Sequence, residues 1–389
     1  MQMAYVTTYN VLDRSTWPKT QIGLCGAGYH LAKSLENQSI LLNYIGSLAE
    51  KIPSLNSRFK WHFYHKLLKK DYFPFVETSV LKEYASQIYT KLSIFNSDVA
   101  LCPENAIPIS HLECKQPIVL WTDAPLAASI NFYPWLSNLC NETKRSIYEM
   151  EKSALDRCNL VMFLSDWAAQ TAVETYGTDS SKIKIVPWGA NIECNRNNED
   201  INSIVESKAR NTCKLLFVGV EWLRKGGDTA LEVAKELNRI GLNTELLVVG
   251  CQPLASEPLP NFVKTIGFVN KYTAEGLSQM NKLFCESHFL VMPSKADFSP
   301  HVLGEANSFG LPCIATKIGG IPTIIKDSLN GQTFSLNASI SDYCNYITSI
   351  MADYDEYKRL AHSSFNEYQS RLNWSVAVQT AKQLIKDIV

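Results

Sequence analysis

His288-Phe-Leu-Val-Met-Pro293-Ser-Lys-Ala-Asp297-Phe-Ser299-Pro300-His301-Val-Leu-Gly-Glu305-Ala-Asn-Ser-Phe-Gly310-Leu-Pro312-Cys-Ile-Ala-Thr316 reads as strand, loop, helix and strand in turn. The runs 288–293 and 312–316 are apolar without alternation, as strands buried on both faces are. Two such strands joined through a helix make a parallel crossover unit. Ser299 is a favoured N-cap, Pro300 a favoured first helical residue and Gly310 a favoured stop, which predicts a helix over 300–309. The amides of His301, Val302 and Leu303 then lie at a positive helix end, where an anion can bind. Glu305, one turn on, is suited to accept hydrogen bonds from sugar or ribose hydroxyls. The plainer alternative is a capped surface helix with a solvated acid.

The same alternation extends outward. Upstream lie strand 214–219, helix 228–240, strands 244–249 and 262–268, and helix 273–286; the tail 339–389 is helical. In the first half, strand-like runs at 4–9, 39–45, 98–102, 117–122, 160–165 and 182–187 are separated by helical patterns at 28–36, 78–92, 142–157 and 166–176, the last stopped by Gly177. Between the two series, 195–209 is polar and has no strand pattern, which predicts a domain boundary. A chain of 389 residues has room for two domains at roughly 150 residues each. The fold class is therefore α/β, with two doubly wound sheets over 1–200 and 208–372. Ligands of such sheets bind outside the carboxyl ends of the strands, which makes the cleft between two such domains the expected active site.

Composition narrows the function. The 46% apolar and 19% charged fractions suit a folded chain, and 37 basic against 38 acidic residues (net charge -1) create no overall field for nucleic acid. Eleven dispersed cysteines, with no CxxC, read as buried thiols of a reducing compartment and not as zinc ligands or a disulfide framework. No uncharged run that is apolar throughout reaches the ~20 residues of a membrane helix, so a cytoplasmic protein is expected. One local feature stands apart: 58–70 (RFKWHFYHKLLKK) carries five Lys/Arg, no acid and several aromatics. It could lie on the inner face of an anionic membrane. The commoner arrangement, and the expected one, buries the aromatic face of such a helix on the core.

Further chemistry falls at strand ends. In Leu215-Leu-Phe-Val-Gly219-Val-Glu-Trp-Leu-Arg224-Lys225-Gly226-Gly227-Asp228 a strand ends in glycine and a basic pair precedes a helix, an arrangement suited to a diphosphate leaving group; the plainer alternative is a solvated basic turn. Ile22 to Leu35 begins with glycines (Gly23, Gly26, Gly28) that read as a loop opening the first helix, with Gly26, Ala27 and Gly28 as acceptor-binding candidates. The run 117–122 ends in Thr122 and Asp123; Asp123 is a candidate to orient donor or acceptor, or simply a cap for the next segment.

Taken together, Asp297 and Glu305 with seven residues between them, Ala306-x-x-x-Gly310-x-Pro312, Gly319-Gly320 and Asn330-Gly331 resemble the signature of family 4 retaining glycosyltransferases of GT-B fold. Lys225 and Gly226 match that family's Gly-Arg-x-x-x-x-Lys-Gly element, with Val220 in the arginine position and Arg224 beside the lysine as its candidate replacement. Thr122 stands where many members have histidine, and Ser165-Asp-Trp-Ala168 and Pro187-Trp-Gly189-Ala-Asn191 match bacterial members. The resemblance implies two Rossmann-like domains, the final helix 374–389 packing on the first. It implies that Asp297 holds the transferred sugar, Glu305 the nucleotide ribose, Lys225 and Arg224 the diphosphate, and Gly219, Gly226, Ser299, Pro300, His301, Val302 and Leu303 the donor. Backbone near Gly250 and Phe268 would meet the base. The expected function is a retaining, metal-independent hexosyltransferase that uses a nucleoside diphosphate sugar, with UDP as the expected nucleotide, and a saccharide or lipid acceptor, with no cofactor. Asp353-Tyr-Asp355 lies in the helical tail and is not expected to bind metal. The alternatives are a phosphorylase or nucleotide-sugar epimerase of the same fold, and a non-catalytic nucleotide-sugar binding protein.

Overall fold

The computed structural model describes residues 1–18, 21–49, 54–254 and 257–389. In chain order the elements are β1 Gln2–Val6, α1 Ile22–Asn37, β2 Leu41–Ile45, α2 Leu55–His62, α3 Thr78–Leu92, β3 Val99–Cys102, β4 Ile118–Thr122, α4 Asn141–Arg157, β5 Leu160–Phe163, α5 Asp166–Tyr176 and β6 Ile183–Ile185. Then follow α6 Asn198–Ser207, β7 Cys213–Val218, α7 Gly227–Arg239, β8 Thr244–Val249, β9 Val263–Gly267, α8 Ala274–Glu286, β10 Phe289–Met292, α9 His301–Asn307, β11 Cys313–Thr316, α10 Ile321–Ile324, β12 Gly331–Phe334, α11 Ile340–Ala352, α12 Tyr354–Arg371 and α13 Trp374–Lys386. Two compact units result: Met1–Trp188 with Trp374–Val389, and Gly189–Asn373.

The first unit is a parallel sheet in the order β2-β1-β3-β4-β5-β6. The two-residue period of a strand sends alternate side chains to opposite layers. Ala4, Val6, Ile118 and Leu120 join one apolar layer, and Met3, Tyr5, Val119 and Trp121 join the other. The second layer is closed by α13, which buries Trp374, Val378 and Ile385. Burial of each such large side chain is worth roughly 1.5–3 kcal/mol. Polar contacts fix α13 beside α1: Ser34 Oγ donates to Trp374 O (3.1 Å), Gln38 Nε2 to Ser375 O (2.8 Å) and Lys382 Nζ to Gln38 O (2.8 Å).

The second unit is a parallel sheet in the order β12-β11-β10-β7-β8-β9 around one continuous core. The chain enters at β7, winds outward through β8 and β9, then crosses back so that β10 pairs with the other side of β7. Strand order therefore reverses between β7 and β10, and in the first unit between β1 and β3. Such reversal points leave a crevice at the carboxyl ends of the strands. All eleven cysteines are free thiols; burial pushes Cys25 and Cys158 up to about 12.

The structure adds β12, which the sequence reading did not contain, and four further differences bear on the candidate residues. The polar stretch 195–209 contains a helix, α6, held by a capping box between Asn197 and Asp200 and by burial of Ile201 and Val205; the chain passes between units earlier, after Trp188. The glycines at 23, 26 and 28 do not form a loop but lie inside α1, six residues before its expected start, with Gly26, Ala27 and Gly28 buried. Gly28 has a packing reason: a Cβ there would lie 2.1 Å from Tyr9 Oη, and its carbonyl accepts from Tyr5 Oη (2.6 Å), whereas a Cβ on Gly23 would meet no atom within 4 Å. Third, the N-cap of α9 is Pro300, not Ser299. Pro300 is extended (ψ 116°), so the helix is only His301–Asn307, and Ser299 Oγ is buried without a hydrogen-bond partner among the described residues. Fourth, in 58–70 the aromatics Phe59, Trp61 and Phe63 are exposed and not packed on the core.

His288, before β10, is fully buried and locked in one neutral tautomer. Its Nδ1 accepts the Lys214 amide (3.0 Å) and its Nε2 donates to Ala209 O (3.0 Å). Burial, with the Lys208 and Lys214 charges nearby, lowers it from 6.5 to about 3. Between those values the unfolded chain binds the proton and the folded chain does not, so stability falls as pH drops through that window. From pH 7 to pH 5 this group should cost about 2 kcal/mol. Urea unfolding at both pH values checks it: His288→Asn should be less stable at pH 7 yet lose about 2 kcal/mol less than the parent on acidification.

Candidate functional site

Two loops of the second unit are joined at the β7/β10 reversal point. One runs from β7 to α7 and carries Gly219, Arg224, Lys225 and Gly226; the other runs from β10 to α9 and carries Asp297. Gly226 makes the approach possible: it has φ +77°, and a Cβ there would lie 2.0 Å from the Pro293 carbonyl oxygen, so no other residue fits. Lys295 N–H donates to Arg224 O (2.7 Å), and Arg224 Nη1 donates to Ala296 O (2.9 Å). The second loop is held from behind by the Gly-Gly turn, where Gly320 N–H donates to Phe298 O (2.7 Å).

The charged side chains meet on this frame. Lys225 Nζ lies 2.5 Å from Asp297 Oδ2, which also accepts from Ser294 Oγ (3.1 Å); Arg224 Nη1 is 3.8 Å from the same oxygen. Arg224 is oriented by Glu221, whose Oε1 accepts from Nε (2.9 Å) and Nη2 (2.6 Å). Lys225 and Asp297 are 14% and 9% exposed, so their attraction is little screened by water. Glu305 is buried on α9 and is ion-paired with Lys271, from the loop between β9 and α8. Each of these three cations thus already has a carboxylate partner.

Three glycines bring the ends of β7, β8 and β9 close together. Gly219 N–H donates to Val249 O (2.9 Å) and Gly250 N–H to Gly267 O (2.8 Å); Gly250 has φ +99°, and a Cβ there would lie 2.6 Å from Gly219 O. Phe268, next in the chain, is exposed, as is Val220. His301, Val302 and Leu303 form the first turn of α9, and the Leu303 amide is already taken by Pro300 O (3.2 Å). Asn330 has a packing role: fully buried, it donates to Asn307 Oδ1 (2.8 Å) and Ile324 O (2.9 Å).

The structure therefore brings together Arg224, Lys225, Asp297 and, through the same sheet edge, Glu305, Gly219, Gly226 and Gly250. Asp123, Gly26, Ala27 and Gly28 belong to the first unit. There Asp123 follows β4, and the amides of Leu126 and Ala127 go to the buried Glu151 (2.5 and 3.0 Å). Sequence reasoning passed over Lys271, Glu221 and Glu104. Glu104 follows β3 and bridges the first unit's reversal point, accepting from Thr8 N–H (2.8 Å) and Thr8 Oγ1 (2.7 Å); burial raises its carboxyl above the usual range. Its signal was an acid directly after a buried strand, in Leu101-Cys-Pro-Glu104. Lys271 has no motif, because only the fold carries it to Glu305. Among the described residues no group of three or more histidine, cysteine or acidic side chains could hold a metal ion, and no helix is long and apolar enough to cross a membrane.

Residues 199–366 match the family model for glycosyl transferases group 1. A D-inositol 3-phosphate glycosyltransferase of Segniliparus rotundus is 27% identical over 163 residues, 40% of this chain and 36% of that protein. The UDP-Gal:alpha-D-GlcNAc-diphosphoundecaprenol alpha-1,3-galactosyltransferase of Escherichia coli is 25% identical over 181 residues, 45% of this chain and 46% of that protein. These matches span less than half the length of either relative. A solved structure of sucrose-phosphate synthase from Thermosynechococcus elongatus superposes with a TM-score of 0.67 at 14% identity, covering 100% of this chain and 98% of that one. The two parallel six-stranded sheets with their flanking helices are the GT-B fold of glycosyltransferases, and the group 1 match falls on the unit that carries the Lys225–Asp297 site.

Proposed function

We propose that the chain is a retaining glycosyltransferase that moves a hexose from a UDP-sugar to a hydroxyl of a saccharide or lipid-linked saccharide. The observation that carries the reading is the Lys225–Asp297 pair, with Arg224 3.8 Å from the same carboxylate, at the β7/β10 reversal point. Support for the nucleotide and acceptor classes comes from the E. coli relative, whose name gives a UDP-sugar donor and a diphosphoundecaprenol-linked acceptor. Departure of a diphosphate needs cations at a strand end and acceptors for sugar and ribose hydroxyls, and this cluster has both.

In this reading donor binding exchanges partners. The diphosphate takes Lys225 and Arg224, and Asp297, released from them, accepts hydroxyls of the sugar. Glu305 turns from Lys271 to the ribose hydroxyls. Because Lys225 is already satisfied before the donor arrives, the exchange gains little in the ground state. As the bond from the anomeric carbon to the diphosphate oxygen breaks, negative charge grows on the leaving group, and there the two cations act most strongly. The acceptor hydroxyl attacks the same face and gives its proton to the leaving phosphate. Asp123 is proposed to orient donor or acceptor, whereas Gly26, Ala27 and Gly28 are buried inside α1.

Three outcomes follow. Lys225→Ala should lower kcat roughly a hundredfold while weakening UDP-sugar binding less than about tenfold; equal losses in both would remove the transition-state role. Glu305→Ala should weaken UDP binding in calorimetry at least about tenfold, the scale of one charged hydrogen bond. It should barely change the binding of 2′,3′-dideoxy-UDP, and an equal loss for both nucleotides would show that Glu305 does not read the ribose. EDTA should leave turnover intact, since Lys225 and Arg224 supply the positive charge; loss restored by a divalent ion would overturn that part. Product analysis with labelled donor separates transfer to an acceptor from phosphorolysis, epimerisation and simple binding.

A further inference from the structure

Residues 55–70 form an amphipathic segment turned inside out. Helix α2 runs on through a π-helical turn over Phe63–Leu67. Its inward contacts are polar: Ser57 Oγ donates to Glu77 Oε2 (2.7 Å), Lys60 Nζ pairs with Glu142 (2.5 Å), and Tyr64 Oη donates to Glu142 Oε2 (3.0 Å) while its ring stacks on Tyr72. The apolar residues face out. Leu55, Phe59, Phe63 and Leu67, four residues apart, are 83%, 69%, 39% and 71% exposed. An ordinary surface helix buries such a stripe. Here Phe59 and Leu67 are more exposed than the salt-bridged Lys60 (35%).

Charge identifies what covers this face. The segment has no acid, and Arg58, Lys66 and Lys69 engage no side-chain partner among the described residues. Beside it, a recess of about 240 Å³ is lined by His65, Lys66, Lys69, Asp71 and Asn138, two lysines against one acid. An apolar stripe flanked by unpaired cations matches the layered chemistry of a bilayer surface, acyl chains beneath and anionic headgroups above. A soluble protein partner would require complementary acids and a shaped apolar surface; a lipid leaflet supplies both without fixed geometry.

We propose that residues 55–70 dock the first unit on an anionic lipid surface, with Phe59, Phe63 and Leu67 entering the headgroup–acyl boundary and Lys66, Lys69 and Lys70 contacting headgroup phosphates. The proposal is independent of the transferase reading, because its test measures no turnover. The full chain should sediment with phosphatidylglycerol-containing vesicles in low salt, stay in solution with pure phosphatidylcholine vesicles, and release at high salt. Lys66→Glu with Lys69→Glu should weaken binding by at least about fivefold per charge removed. Phe59→Ser with Leu67→Ser should also weaken it while the net charge is unchanged. All four positions are exposed, so circular dichroism and the melting temperature should match the parent. Binding of neither vesicle would overturn the proposal. So would equal binding of both, or a dimer in solution that the serine variant abolishes.

Discussion

A lysine and an aspartate held 2.5 Å apart with little water around them join the two halves of the second unit's sheet at the one place where its winding reverses. Removing two charges from water is costly, so such a pair persists only when the backbone brings the partners together and further hydrogen bonds complete them. Here Gly226 against the Pro293 carbonyl sets the approach, the Lys295 amide ties the loops, and Ser294 completes the carboxylate. The result is a site in which cations are present but neutralised. Its balance mirrors the whole chain, whose net charge is -1. Under the proposed function, positive charge becomes available to a ligand that displaces Asp297, which would favour a diphosphate over a singly charged anion.

Both units follow the same construction. Strand order reverses at β7/β10 in one and at β1/β3 in the other, and a buried carboxylate stands at each reversal: Asp297 in one, Glu104 in the other. Their partners differ. Asp297 faces two cations, whereas Glu104 is satisfied by Thr8 and Asn105 with no cation bonded to it among the described residues. The first arrangement is the one proposed to exchange for an anionic ligand; the second ties the loop after β1.

Much of this was legible from residues alone because it rests on local signals. Unalternated apolar runs gave every strand but β12 to within about three residues, and Asp297, Arg224 and Lys225 fell in loops after strands because a doubly wound sheet puts its loops there, with Glu305 on the helix that follows. What escaped has physical causes. Ser299 before Pro300 looks like a cap, but the extended proline takes that place. The glycines of α1 suggested a loop because glycine is a poor helix former, and only the tertiary fold shows that Tyr9 fills the space beside Gly28. The polar face of α6 hid the two buried residues that dock it. Lys271 meets Glu305 across 34 positions, beyond the reach of any spacing rule. For 55–70, sequence gives the amphipathic pattern but not which face turns inward, since that depends on where Glu77 and Glu142 stand.

Partner exchange at Asp297 is tested most directly by calorimetry on Asp297→Asn, with UDP and then a UDP-sugar as ligand and transfer measured alongside. The substitution keeps the side-chain shape but releases Lys225 and Arg224 from their shared carboxylate. UDP should therefore bind more tightly than to the parent, while sugar transfer falls because the hydroxyl acceptor is weakened. Weaker or unchanged UDP binding in a variant that melts like the parent would contradict it: Asp297 would not be the group that a diphosphate displaces.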